Sequence, residues 1–281
     1  MPPRYDTITF LSDYGTTDEF VGVVHSVLRS IAPHAAVVDL THGVPAHDVR
    51  AGGLTLARSV QYVAPGVILA VVDPGVGSER RGVAVEVLGG RAVFVGPDNG
   101  LLAPAVAMVG GADRAVSLTN AEHHLPAPGP TFAGRDVFAP AAAHLANGVP
   151  LDELGEAVDT TTLLPGILPL TQERDGRLVA EVLWVDRYGN VQLNVDPDEV
   201  ASLGDRVALG FHGTARTAVR AATYAAIPRG QVGLVVDSYG LLSVCTDRSS
   251  ASAELGLQPG DEVTLEAGGP MSTPVELRVA P

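Results

Sequence analysis

Apolar and polar positions along the chain follow two textures. In the first half, short apolar runs at 8–11, 37–40 and 67–72 are separated by stretches with helical spacing at 20–31 and 48–62, a strand–helix–strand rhythm. The run Val67-Ile68-Leu69-Ala70-Val71-Val72 is continuous and rich in β-branched residues, which predicts a strand covered on both faces. Residues 83–87 and 92–95 predict a strand pair, and the alanine-rich stretch 138–146 predicts a helix. The first half therefore reads as an α/β sandwich, with helices on both faces of a mainly parallel sheet. After Gly148 the texture becomes Pro- and Thr-bearing through Leu170, as in a linker. Short β-rich runs then recur at 179–185, 191–195, 207–211, 232–236, 241–244, 263–265 and 275–279, at the spacing of a small barrel or sandwich. Two domains are expected, over 1–165 and 174–281.

Composition narrows the classes of function. The 281 residues are 46% hydrophobic, enough for a substantial core. Formal net charge is -14, all 18 basic residues are arginine, and charge is scattered without a basic stripe, which argues against a nucleic-acid partner. Cys245 is the sole cysteine, so neither an internal disulfide framework nor a cysteine-based zinc site can be built, and a reducing cytoplasm fits. Met1-Pro2-Pro3-Arg4-Tyr5-Asp6 lacks the layout of a signal peptide, and no apolar stretch is long enough to span a bilayer, so no membrane association is expected.

The chemistry-bearing residues cluster where strands end. Asp73 closes the buried run and is followed by Pro74-Gly75-Val76-Gly77-Ser78-Glu79-Arg80, a turn able to bring Arg80 back toward Asp73 as a bidentate pair. The carboxyl end of such a strand is where open α/β sheets bind ligands. The plainer reading is a turn-initiating Asp and a solvating Arg. Ser12-Asp13-Tyr14-Gly15-Thr16-Thr17-Asp18 follows another strand; Asp13 can accept from a ribose diol, and Asp18 can accept from an ammonium or cap the next helix. In Thr131-Phe132-Ala133-Gly134-Arg135-Asp136, Asp136 reads as a helix cap. Trp184-Val185-Asp186-Arg187-Tyr188-Gly189-Asn190 offers Tyr188 as a stacking face and Asn190 as an amide edge for adenine, or else is only a hairpin turn. Asp237-Ser238-Tyr239-Gly240 is a further tight turn. Without lysine no Walker A loop can exist, the third glycine position after Gly75 and Gly77 is Arg80, and neither a Gly-x-Ser-x-Gly nor a His-Glu-x-x-His motif occurs.

Taken in order, these motifs together with Val38-Asp39-Leu40-Thr41-His42 and Gly96-Pro97-Asp98-Asn99-Gly100-Leu101-Leu102 resemble the S-adenosylmethionine hydroxide adenosyltransferase family, relatives of the adenosyl fluorinases and chlorinases. The resemblance runs from 7 to about 263. It implies an N-terminal α/β domain, a C-terminal β-barrel, and a homotrimer with active sites where one subunit's N-terminal domain meets its neighbour's C-terminal domain. It implies hydrolysis of S-adenosylmethionine to adenosine and L-methionine, with no metal or redox cofactor. By position, Asp13 would hold the ribose hydroxyls, Asp18, Asp186 and Ser238 the methionine portion, and Asn190 with Tyr188 the adenine. Asp73 and Arg80 would stand at the nucleophile, Arg80 lowering the pKa of Asp73 and stabilising a forming hydroxide.

At one position the chain departs from the pattern: the family's Phe-His-Gly-Arg-Asp is Phe132-Ala133-Gly134-Arg135-Asp136. Ala133 reads as an introduced change, as a natural divergence in which a second water or His47, His123 or His124 fills the role, or as the mark of a changed nucleophile. Hydrolysis, impaired by Ala133, is the expected activity. A halogenase and a non-catalytic binder of adenosine or S-adenosylmethionine are the alternatives.

Overall fold

The computed structural model describes residues 5–268. The chain divides into two compact units between Leu168 and Pro169. The strand expected at 275–279 lies outside the described residues.

The N-terminal unit is built on strands β1 (Thr7–Ser12), β2 (Ala36–Thr41), β3 (Val67–Val71), β4 (Gly82–Val87), β5 (Ala92–Pro97), β6 (Arg114–Ser117) and β7 (Ala157–Val158), in the sheet order β2-β1-β3-β5-β4-β6-β7. β2, β1, β3 and β5 run parallel, while β4, β6 and β7 add antiparallel pairings, so the sheet is mixed. Helices α1 (Phe20–Ile31), α2 (Val49–Ser59), α3 (Ala103–Met108) and α4 (Ala139–Ala146) cover it. β3 explains why both faces need cover. Val67, Leu69 and Val71 join one core with Val24 and Leu28 of α1 and the alanines of α4; Ile68 and Ala70 join the other with Leu56 of α2 and Ala105 of α3.

The parallel strands place their carboxyl ends along one edge of the sheet. Ser12 pairs with Val71, and the Asp13 N–H donates to the Val71 carbonyl at 3.3 Å, so the residues that follow β1 and β3 emerge side by side. The short α3, β6 and β7 were not expected, and α4 is preceded by a wide π-type turn over Gly134–Phe138.

The C-terminal unit contains β8 (Gln172–Arg174), β9 (Arg177–Val185), β10 (Val191–Leu193), β11 (Arg206–Phe211), β12 (Thr214–Arg220), β13 (Val232–Val236), β14 (Leu242–Thr246), the short α5 (Ala251–Leu255) and β15 (Glu262–Ala267). β10 pairs with both β14 and the second half of β9, while β15 pairs with the first half of β9, which closes a seven-stranded barrel with β8 attached outside. Closure resolves the choice between barrel and sandwich and removes free edges. Val182, Leu193, Leu209, Val244 and Leu265 fill its interior, each wholly buried.

Phe94 on β5 is among the largest wholly buried side chains of the first unit. Phe94→Ala is expected to cost about 3–5 kcal/mol in urea denaturation of the purified chain. Tyr62→Ala, at a position 73% exposed, should stay within about 0.5 kcal/mol of the parent.

Candidate active site

The turn after β3 builds the central pair. Val76 N–H donates to the Asp73 carbonyl at 3.2 Å and Ser78 N–H to the Gly75 carbonyl at 3.2 Å, while Gly77 takes a positive φ of 79° that a side chain would strain. Ser78 Oγ donates to the Gly75 carbonyl at 2.7 Å and accepts from the Arg80 N–H at 3.3 Å, so the chain doubles back. Arg80 Nη2 then donates to Asp73 Oδ2 at 2.5 Å, with the two side chains 13% and 6% exposed. Arg80 Nη1 donates to the Arg81 carbonyl at 2.6 Å, and its guanidinium lies over the Phe138 ring at 5.4 Å. The pair is joined by one nitrogen and one oxygen and not by the expected two-point fork. Arg80 is occupied by Phe138 and a backbone carbonyl, which leaves Asp73 Oδ1 buried without a hydrogen-bond partner.

That geometry also reverses the expected electrostatics of Asp73. Burial raises its pKa above the ordinary carboxylate value, and the opposing charge and hydrogen bond of Arg80 do not bring it back down. The carboxylate is therefore a better proton acceptor than an Asp beside an Arg would be in water. Close by, burial first and then the charges of Asp13 and Asp73 push the Tyr14 phenol far above its usual range, so it stays neutral.

Asp73 and Asp13 share a cavity of about 260 Å³ with Tyr14, Phe20, His47, Phe132 and Ala133. Asp13 Oδ2 accepts from the His47 N–H at 2.9 Å, which orients the carboxylate from a residue held at a positive φ of 69°. Tyr14 packs edge-on against Phe132, with ring centroids 5.6 Å apart, and a Cβ at Gly134 would collide with its phenol oxygen. Ala133 borders this cavity and also a neighbouring one of about 490 Å³ that contains Arg80, His124 and Asp136. It thus stands on the wall between the two faces of the Asp73–Arg80 pair. His47 faces the first space and His124 the second, whereas the His123 ring lies against His144 at 4.7 Å. A third cavity, of about 270 Å³ along α3, is largely apolar and contains none of the expected site residues.

Two expectations in this region change. Asp136 is not a helix cap: it sits inside the π-type turn, its carboxylate paired with its neighbour Arg135 at 2.6 and 3.0 Å. Asp18 lies exposed in the loop before α1, outside the cavity lining, and the first turn of α1 has no side-chain cap.

In the C-terminal unit, Asp186, Tyr188 and Asn190 share one loop between β9 and β10. Asp186 Oδ1 accepts from the Tyr188 and Asn190 N–H groups and Oδ2 accepts from Asn190 Nδ2, each at 2.8 Å. Three of the roughly four acceptor positions of the carboxylate are thus used in shaping the loop. Tyr188 is 78% exposed, an open stacking face. Ser238 lies in the turn between β13 and β14, which Asp237 organises by accepting from the Tyr239 N–H at 2.8 Å, Gln192 Nε2 at 2.6 Å and Ser243 Oγ at 3.0 Å. Burial, and then the charges of Asp186 and Asp237, push the Cys245 thiol up to about 12, so it is a structural and not a reactive cysteine. Two contributors take roles that the motifs did not assign them: the backbone N–H of His47 orients Asp13, and the Phe132 ring packs edge-on against Tyr14 and Phe20.

Comparison with known proteins places the chain in a family. The SAM hydroxide adenosyltransferase N-terminal domain family matches residues 8–155 and the SAM hydroxide adenosyltransferase C-terminal domain family matches 180–264. An (R)-S-adenosyl-L-methionine hydrolase of Salinispora arenicola is 44% identical, over 93% of this chain and 98% of its own length. A fluorinase of an Actinoplanes species is 24% identical over 92% of this chain and 96% of its own length. The crystal structure of a protein from Thermotoga maritima superposes with a TM-score of 0.85 at 31% identity, covering 92% of this chain and 99% of that one. With both domain families matched in order and the hydrolase aligned nearly end to end, the chain belongs to the SAM hydroxide adenosyltransferase family.

Proposed function

We propose that this chain hydrolyses S-adenosyl-L-methionine to adenosine and L-methionine by in-line attack of water on the ribose C5′ carbon. The observation that carries the reading is the buried, unpartnered Oδ1 of Asp73, on a carboxylate of raised pKa that borders the same cavity as Asp13 and Ala133. A water held about 3 to 3.5 Å behind the carbon gives its proton to Asp73, its oxygen bonds to C5′, and the carbon–sulfur electrons leave with neutral methionine. The sulfonium supplies its own leaving group, so the protein's work is positioning the water and excluding others. Arg80 keeps Asp73 fixed through Oδ2 and stabilises developing hydroxide.

Asp13, oriented by His47, binds the ribose hydroxyls. Asp18, Asp186 and Ser238 bind the methionine portion, with Asp186 using its remaining acceptor position for the ammonium, and Tyr188 and Asn190 hold adenine. The protein works as a homotrimer in the cytoplasm, each site drawing these C-terminal residues from a neighbouring subunit, and no cofactor enters the reaction. Halide attack is disfavoured by Asp73, whose buried negative charge repels an anion that must itself be desolvated.

Turnover in ¹⁸O-water should give adenosine labelled at the 5′ oxygen; unlabelled adenosine, or 5′-halo-adenosine when chloride or fluoride is added, would sink the assignment. Asp73→Asn is expected to lower kcat by about 10² to 10⁴-fold with little change in KM, read in single-turnover assays. Because Asp73 must be ionised to accept a proton, kcat/KM should fall with acid around a pH raised above the ordinary value of an aspartate. Arg80 pulls the Asp73 pKa down, so Arg80→Ala should move that limb to higher pH; a limb unmoved or moved lower contradicts the base assignment. Ala133→His should raise kcat, and an unchanged rate would mean that this position no longer serves the nucleophile.

A further inference from the structure

A second cluster of chemistry-bearing side chains lies at the edge of the N-terminal sheet. His25 comes from the middle of α1, Asp39 from β2, and His42 from just beyond the end of β2. Among the described residues, one ligand atom from each lies within 4.8 Å of the others. Asp39 Oδ1 is 2.8 Å from His25 Nε2 and 3.0 Å from His42 Nε2, so two imidazole nitrogens converge on a single carboxylate oxygen.

His42 makes the cluster more than a surface ion pair. Its side chain is 5% exposed, and although Nε2 is close to Asp39 it is out of line for a hydrogen bond and has no other partner. The opposite ring nitrogen, Nδ1, lies 2.8 Å from Ser12 Oγ, which also accepts from the Tyr14 N–H at 3.3 Å. A serine on Nδ1 fixes the ring and leaves Nε2 directed toward Asp39 and His25, as an outer partner does for a metal-bound histidine. Phe10 clamps both imidazoles, its ring centroid 4.6 Å from that of His42 and 6.1 Å from that of His25. Parallel register explains the convergence: Phe10 pairs with Asp39, so both side chains project from the same face of the sheet, under α1.

We propose that His25, Asp39 and His42 form a binding site for a divalent transition ion of the zinc class, separate from the reaction at Asp73. Two imidazoles and a carboxylate are the donor set of an open zinc site. Bonds of about 2.0–2.1 Å put neighbouring ligand atoms about 2.9–3.4 Å apart, close to the separations seen across Asp39. His25 and Asp39 are 36% and 42% exposed, which gives an entry path and allows small rotations that complete the shell. The bound ion ties the middle of α1 to the edge strand β2, and so stabilises the folded chain in proportion to its occupancy.

Titration of the metal-free full chain with ZnCl₂ in a calorimeter is expected to show one saturable equivalent per chain and a rise in Tm. In wild-type ¹H–¹⁵N spectra, the imidazole signals of His25 and His42 should shift together at that equivalent, a readout that needs no variant. His25→Ala and His42→Ala should each weaken binding at least ten-fold, and His212→Ala, at the exposed His212–Asp261 pair, should leave it unchanged. The absence of a saturable equivalent would overturn the site, as would shifts confined to other histidines, or binding undiminished in His25→Ala. In the last two cases Zn²⁺ is held elsewhere on the surface.

Discussion

The site depends on a contest between burial and charge at Asp73. A carboxylate taken out of water resists ionisation, and a guanidinium beside it favours ionisation; here the first effect prevails because Arg80 reaches only Oδ2. Arg80 is divided among three partners, the carboxylate, the Arg81 carbonyl and the face of Phe138, and this division keeps it from closing over both oxygens. The result is a fixed carboxylate with one oxygen committed to structure and one uncommitted, beside a cavity large enough to hold part of a nucleoside. Preorganisation and proton affinity are usually in conflict at an Asp–Arg pair. Splitting the two roles between two oxygens of one group relieves that conflict.

The rest of the N-terminal unit serves to hold that pair in place. Parallel pairing of β1 with β3 puts Asp13 beside Asp73, and alternation along β3 fixes the strand between two cores so that its end cannot drift. The wide turn before α4 presents Ala133 to the wall between two cavities and buries Gly134 against Tyr14. Ala133, where the chain departs from the expected Phe-His-Gly-Arg-Asp pattern, lines both cavities.

Legibility in the sequence followed the physics of each element. The 67–72 strand was readable because a strand buried on both faces must be apolar throughout, and the all-β character of the C-terminal unit because short strands recur at regular spacing, although spacing alone left barrel and sandwich open. β12 was not readable, since its exposed Thr214, Arg216 and Thr217 erase the apolar signal; α3, six residues beginning with Ala103-Pro104, is too short to show a helical period. The Asp73-to-Arg80 turn was legible as a motif, but the sign of the Asp73 shift was not, because the burial that raises it exists only in the folded chain. Asp136 was misjudged as a cap for a similar reason: its neighbour Arg135 claims it in a turn whose width the sequence does not encode locally. His25, Asp39 and His42 looked scattered because only the β1–β2 register and the packing of α1 bring them together.

The central claim is that burial outweighs Arg80 at Asp73 and leaves it a proton acceptor. Carboxyl ¹³C NMR of the full chain, with the Asp73 signal assigned by its loss in Asp73→Asn, measures this directly. The account predicts a titration midpoint above the ordinary 3.8 of an aspartate. A midpoint at or below that value would show that the ion pair prevails, and would contradict the account.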